Sequence, residues 1–201
     1  MSQTENVFSR ISGTLTFKRD VVESIEHDES LNQEATLIMV LVWLVGIFVG
    51  VATPYIGGET AGYYNIEALS LIIGELIYNI GGGLAFIGAC AFIGQLIGGR
   101  ETETDFMEIF RVIAYAYAAK ILDIIWFIEI FVDIPFTALL PFIFWIWVLI
   151  ATIYVLMAAL DKGAFTAIVT AILAAICLIF ILGAVTIIIY GTLGDPYTYK
   201  P

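Results

Sequence analysis

A polar opening stretch gives way to five long apolar runs separated by short polar or turn-forming breaks. The runs fall at about residues 35–53, 76–98, 112–132, 138–160 and 164–190. A helix rises about 1.5 Å per residue, so about 20 apolar residues cross roughly 30 Å of hydrocarbon. Each run is long enough, and the pattern predicts an all-α integral membrane bundle of five transmembrane helices. The second run is the least sharply bounded. Apolar character begins near Ile66 and Gly81-Gly82-Gly83 interrupts it, so 66–75 reads alternatively as a separate interfacial helix. The last run exceeds the length needed and is expected to tilt or extend past the interface.

Residues 1–34 read as an acidic cytoplasmic leader with three positive and seven negative side chains, and 191–201 as a short external tail. Within the leader, Phe17, Val21, Val22 and Ile25 stand at helix-compatible spacing, with Glu23, Glu26, Asp28 and Glu29 on the other faces. This predicts a short amphipathic helix on the inner membrane surface, its acidity weakening attachment to anionic lipid. A partly ordered polar leader is the alternative. The stretch lacks the apolar core of a signal peptide.

Composition agrees with the membrane assignment. Hydrophobic residues make up 61% of the 201 and charged residues 13%, against about 45–50% and about 25% in globular domains. Mean hydropathy is +0.99. A net charge of −11 leaves no basic field for nucleic acid. Cys90 and Cys177 both lie in apolar runs and make no disulfide framework; with His27 the single histidine, a histidine-rich metal site is excluded. No H-E-x-x-H, G-x-S-x-G, phosphate-loop or intramembrane Gly-x-Gly-Asp pattern occurs. The chain therefore reads as non-enzymatic, with no cofactor and no metal.

Positive charge sets the orientation. Arg10, Lys18, Arg19, Arg100, Arg111 and Lys162 fall on one set of alternating connections and Lys200 alone on the other. This places the N-terminus in the cytoplasm and the C-terminus outside a cell membrane. Lys120 lies inside the third run and is not counted.

Lys120 and Asp123 are the sharpest candidates for chemistry. Both sit near the middle of the third run, where an ionisable group costs about 2.5–3.5 kcal/mol on insertion scales. Three residues apart, they are able to pair, and Tyr117 adds a hydroxyl one step earlier. The strip reads either as a polar lining for an ion or proton path, or as a self-neutralising pair that fixes helix packing. Glu129 and Asp133 stand near the outer end of the same run, and Glu67 and Glu75 before the second, with Asn79 one turn on. Oxygen ligands of this kind suit a divalent cation, although such residues are more often solvated. Gly46-x-x-x-Gly50 and Gly94-x-x-x-Gly98 are small-residue pairs that let helices approach closely, inside one molecule or between copies.

Three stretches carry a resemblance. They are DVVESIEHDESLNQEATLIMVLVWL at the leader-to-span join, Gly98-Gly99-Arg100 followed by FMEIFRVIAYAYAAKILD, and the basic turn Ala158-Ala159-Leu160-Asp161-Lys162-Gly163-Ala164. In this order the chain resembles the Yip family (Yip-one domain) of multi-pass membrane proteins, in particular its prokaryotic (archaeal or bacterial) branch. The resemblance covers most of residues 16–190 and implies a membrane-organising or adaptor role, with the lipid bilayer, other membrane proteins or a second copy as partners. The Asp-Leu-Tyr-Gly-Pro motif of eukaryotic members is absent, which leaves GTPase binding doubtful. Ala118-Ala119-Lys120 replaces the proline that the family often has after the Tyr-Ala step. A small channel or transporter using Lys120, Asp123 and Tyr117 is the alternative.

Overall fold

The computed structural model describes residues 6–56, 64–66, 68–98, 104–129, 131, 139–193 and 197–199. Expectations that rest on Glu67, Gly99, Arg100, Asp133 and the 133–137 connection lie outside the described residues, as does the side chain of Glu129.

The leader folds into two helices rather than one. Helix α1 (Val7–Leu15) starts at Asn6, whose side chain accepts the Ser9 N–H at 2.8 Å; α2 (Arg19–His27) follows. Between them Phe17 has φ 60°. Its N–H donates to Thr14 O (3.1 Å) and the Lys18 N–H to Gly13 O (2.9 Å), the paired closing bonds of a helix end that normally uses glycine. A left-handed backbone costs a side-chain-bearing residue roughly 1–2 kcal/mol. Here the Phe17 ring packs against Trp147 and Tyr154, each with centroids 5.3 Å away, and its carbonyl accepts the Tyr154 hydroxyl at 2.7 Å. Gly13 lets α2 close in, since a methyl there would stand 2.8 Å from Val21 Cγ1.

After a short 3-10 turn (Glu29–Leu31) comes α3 (Asn32–Ile56). Helix α4 (Ala68–Leu76) runs through a wide π turn (Ile77–Gly81) into α5 (Gly82–Gly98). The glycine triplet thus relaxes the helix without breaking it, and a continuous apolar helix extends from Leu69 to Gly98. The described residues 69–75 are therefore the start of this helix and not a separate interfacial one. Helix α6 (Phe106–Tyr117) opens with reciprocal bonds between Asp105 and Glu108, tightens into a 3-10 segment (Ala118–Asp123) and resumes as α7 (Ile124–Glu129). Helices α8 (Leu139–Ala159) and α9 (Ala164–Leu193) complete the set. Their connection repeats the leader's device: Asp161 has φ 48°, and the Lys162 N–H reaches back to Met157 O at 3.2 Å.

Among the described residues, four helices are long and apolar enough to cross a membrane: Glu29–Pro54, Leu69–Gly98, Phe142–Ala159 and Ala164–Thr192. The protein is an all-α membrane bundle. Its one non-helical pairing among the described residues is an antiparallel ribbon of β1 (Tyr64–Ile66) and β2 (Tyr197–Tyr199), with Tyr64 opposite Tyr199. The ribbon joins the α3–α4 connection to the chain after α9.

The segmented helix is central. Every residue from Ile109 to Ala116 is buried, the mark of a helix surrounded on all sides. Helices α1, α2, α3, α5 and α8 pack around α6, while α9 lies against α5 and α8. Val21, Val22 and Ile25 consequently meet protein and not lipid, so the leader is a docked part of the core rather than a surface helix.

Arg111, expected in a connection, lies inside α6 at 3% exposure. Its Nε donates to Ile25 O at 3.2 Å and Nη1 to Asn32 Oδ1 at 2.8 Å; Nη2 donates to Glu26 O. The Tyr115 hydroxyl donates to Glu34, which also holds Arg10 through Nε at 2.9 Å and Nη2 at 2.5 Å. Replacing Arg111 by Met leaves two leader carbonyls without a donor and should cost about 1.5–3 kcal/mol. Thermal unfolding in detergent, with protease sensitivity of residues 6–31, checks this; an unchanged leader would refute the clasp.

The Glu26 carboxyl is 5% exposed. Burial pushes it up from 4.5 to about 7, with His27 opposing and Asp161, Glu108 and Glu23 adding. The folded leader therefore holds a proton that the unfolded one releases, and stability falls as pH rises from 4.5 to about 7. His27 is itself raised from 6.5, chiefly by the Glu23 carbonyl, and extends the decline in the same direction. Hydrogen exchange of α2 against pH should show this loss, and Glu26→Gln should flatten its acidic part. A slope unchanged in that variant would exclude Glu26 as its source.

Candidate functional site

Tyr117, Lys120 and Asp123 follow one another at intervals of three. In an α-helix such residues drift around the axis, but in a 3-10 segment residues three apart eclipse. The backbone tightens over Ala118–Asp123, beginning with the Ala118 N–H bonded to Tyr115 O. This lines the three side chains along one edge. Ala118 and Ala119 are buried, which lets α3 and α8 press close to the tightened segment.

That edge faces a cavity of about 350 Å³ between the 3-10 segment, α5, α8 and α9. Tyr117, Lys120 and Asp123 line it, with Phe86, Phe144, Trp145, Val148, Leu149 and Ile172 among its apolar walls. Thr152 also lines it, but its hydroxyl donates to Val148 O in its own helix at 2.7 Å. The Lys120 ammonium sits 5.3 Å from the centroid of the Tyr117 ring, within cation–π range of about 6 Å. The ion pairs among the described residues are Arg10–Glu34 and Arg19–Glu23. Lys120 thus turns to the Tyr117 face rather than closing a bridge to Asp123. The site offers donors and an acceptor along one wall of an otherwise apolar chamber.

The glycines occupy two seams. A methyl at Gly46 would overlap Asn79 Oδ1, and one at Gly50 the carboxylate of Glu75. Gly94 faces Leu160 in the same way, and Gly98 is the last residue of α5. Glu75 and Asn79 therefore stand within the helix pair, where they differ from the solvated outer carboxylates that the sequence suggested. Among the described residues no group of three His, Cys, Asp or Glu side chains is placed to hold a metal ion.

Sequence reasoning missed the Arg111 clasp and the Tyr115–Glu34–Arg10 chain. A signal was present: Asp105 and Glu108 mark a helix start, which puts Arg111 on the second turn of a helix rather than in a loop. Nothing in the sequence marked the 3-10 segment, since Ala-Ala-Lys-Ile-Leu suits an α-helix equally well.

A family model described as the Yip1 domain matches residues 12–185. No curated protein and no solved structure matches the chain.

Replacing Lys120 and Asp123 together by Leu should leave the bundle as stable as the wild type or more so. Lys120→Leu alone removes the positive charge that acts on Asp123 across the shared edge and should cost on the order of 2 kcal/mol. Thermal unfolding of both variants in one detergent decides the point. A double variant weaker than the single one would mean that the two residues stabilise the fold by separate contacts.

Proposed function

Because this chain belongs to the Yip1-domain family, we propose that it is a non-enzymatic membrane-organising or adaptor protein. It acts through helix–helix contacts and its docked leader, in a cell membrane with the N-terminus cytoplasmic and the C-terminus outside. The observation that carries this reading is the leader itself. Arg111 anchors it to the central helix, while Lys18, Arg19, Asp20, His27, Asp28 and Glu29 stay exposed on its outer face. A ridge of mixed charge held at fixed orientation is a suitable partner surface, and it favours a partner of complementary charge pattern. The absent Asp-Leu-Tyr-Gly-Pro motif favours the prokaryotic branch and argues against a GTPase as that partner.

Five crossings are part of the proposal. The ribbon of β1 and β2 pairs the α3–α4 connection with the chain after α9, which supports an odd number. Four helices are long enough, and α6, the 3-10 segment and α7 follow in direct succession with 12, 6 and 6 residues as the fifth. The second reading, a small channel or transporter, draws on the shared edge of Tyr117, Lys120 and Asp123. The mainly apolar remainder of their cavity weighs against a polar route across the bundle.

Two measurements test the function. Purified protein in liposomes should pass neither ions nor protons above the background of empty vesicles. A photoreactive residue at Asp20 should crosslink a defined membrane protein or second copy in cells, and Arg111→Met should weaken that crosslink. Flux that vanishes in a folded Lys120→Leu/Asp123→Leu variant would replace the adaptor reading with the transporter one.

A further inference from the structure

The seam between α3 and α4 holds a carboxyl group whose setting the packing role of its glycines does not explain. Gly46 and Gly50 are four residues apart on α3; Asn79 and Glu75 are four apart on the opposing helix. The two helices run antiparallel in matched register, Gly46 against Asn79 and Gly50 against Glu75. The π turn at Ile77–Gly81 contains Asn79 and begins two residues after Glu75. Such wide turns occur frequently at functional sites, because the extra residue re-aims a side chain. Asn79 Nδ2 then donates to Glu75 Oε2 and to Glu75 O, both at 3.0 Å.

Charge neutralisation is missing here. Among the described residues neither ion pair involves Glu75. Asn79 is uncharged, α3 contributes glycines, and the α9 face contributes Leu182, Val185, Thr186, Ile189 and Tyr190. A carboxylate held against a helix backbone in the membrane by one neutral amide is poorly compensated, whereas the protonated acid is tolerated. A cavity of about 110 Å³ between α4 and α9 reaches Glu75, with Thr186 and Tyr190 on its wall. That volume has room for a few water molecules at about 30 Å³ each, a way for a proton to come and go.

We propose that Glu75 is a proton-binding site of the membrane domain. Seated between Gly50 and Asn79, it is a neutral carboxylic acid that releases its proton into the α4–α9 cavity and thereby loosens α4 from α3. The site is separate from the Lys120 cavity and from the leader ridge, so it stands or falls independently of the adaptor reading.

The test uses the full chain in lipid with N,N′-dicyclohexylcarbodiimide, an apolar reagent for protonated carboxyls. The carboxyl proton passes to one carbodiimide nitrogen as the carboxyl oxygen adds to the central carbon. The O-acylisourea then rearranges to a stable N-acylurea, and nothing leaves. Peptide mass mapping should find the adduct on Glu75, reduced about tenfold or more between about pH 6 and about pH 9 as the acid ionises. The infrared C=O stretch of a protonated carboxyl should be present at neutral pH and diminished in Glu75→Gln. Wild-type labelling does not depend on that variant folding. No adduct on Glu75 at either pH, or equal labelling at both, overturns the proposal; so does labelling blocked by sodium but indifferent to pH, which would make the seam a cation site.

Discussion

A guanidinium stands buried inside the central helix, and the packing of the leader follows from satisfying it. Arg111 carries five N–H donors, and α6 is enclosed on every side. Its donors must therefore find acceptors inside the protein, and the leader provides two backbone carbonyls at the end of α2. Carbonyls at a helix C-terminus carry partial negative charge and lack partners within the helix. Each side thus supplies what the other lacks. Two further attachments of the leader, Tyr154 to the Phe17 carbonyl and Trp147 to the Leu15 carbonyl, follow the same logic of membrane-helix donors meeting leader carbonyls.

Polar groups deeper in the bundle are managed by geometry more than by pairing. A change of helical pitch, tighter at Ala118–Asp123 and wider at Ile77–Gly81, accompanies Lys120 and Asp123 in one helix and Glu75 in another. The tighter one gathers Tyr117, Lys120 and Asp123 on one edge. The wider one brings Asn79 and Glu75 against the glycines of α3. Both need small residues opposite or beside them, which is why alanine and glycine mark these positions.

The bundle was legible because length and hydropathy decide membrane spans almost by themselves. The family was legible from the order of small, aromatic and basic residues over the stretch that the Yip1 model matches. Element ends were not. Treating Arg111 as a connection charge came from assigning cations to water by default, although Asp105 and Glu108 had already marked the helix start. The Gly81-Gly82-Gly83 run suggested a break, yet a buried backbone in an apolar environment keeps its hydrogen bonds by widening rather than by opening. The leader's apolar stripe was visible, but periodicity alone does not say whether lipid or protein covers it. At the candidate site, the interval of three among Tyr117, Lys120 and Asp123 was on view; the backbone that turns it into a shared edge was not.

The three-residue ribbon carries a consequence for how the molecule is made. Tyr64–Ile66 leaves the ribosome early, and Tyr197–Tyr199 after every other described segment. Their pairing requires that the end of α9 has come to lie beside the α3–α4 connection, with the intervening helices between them. The ribbon therefore closes only after the whole bundle has been synthesised, and it ties the end of the chain back to one of its first connections.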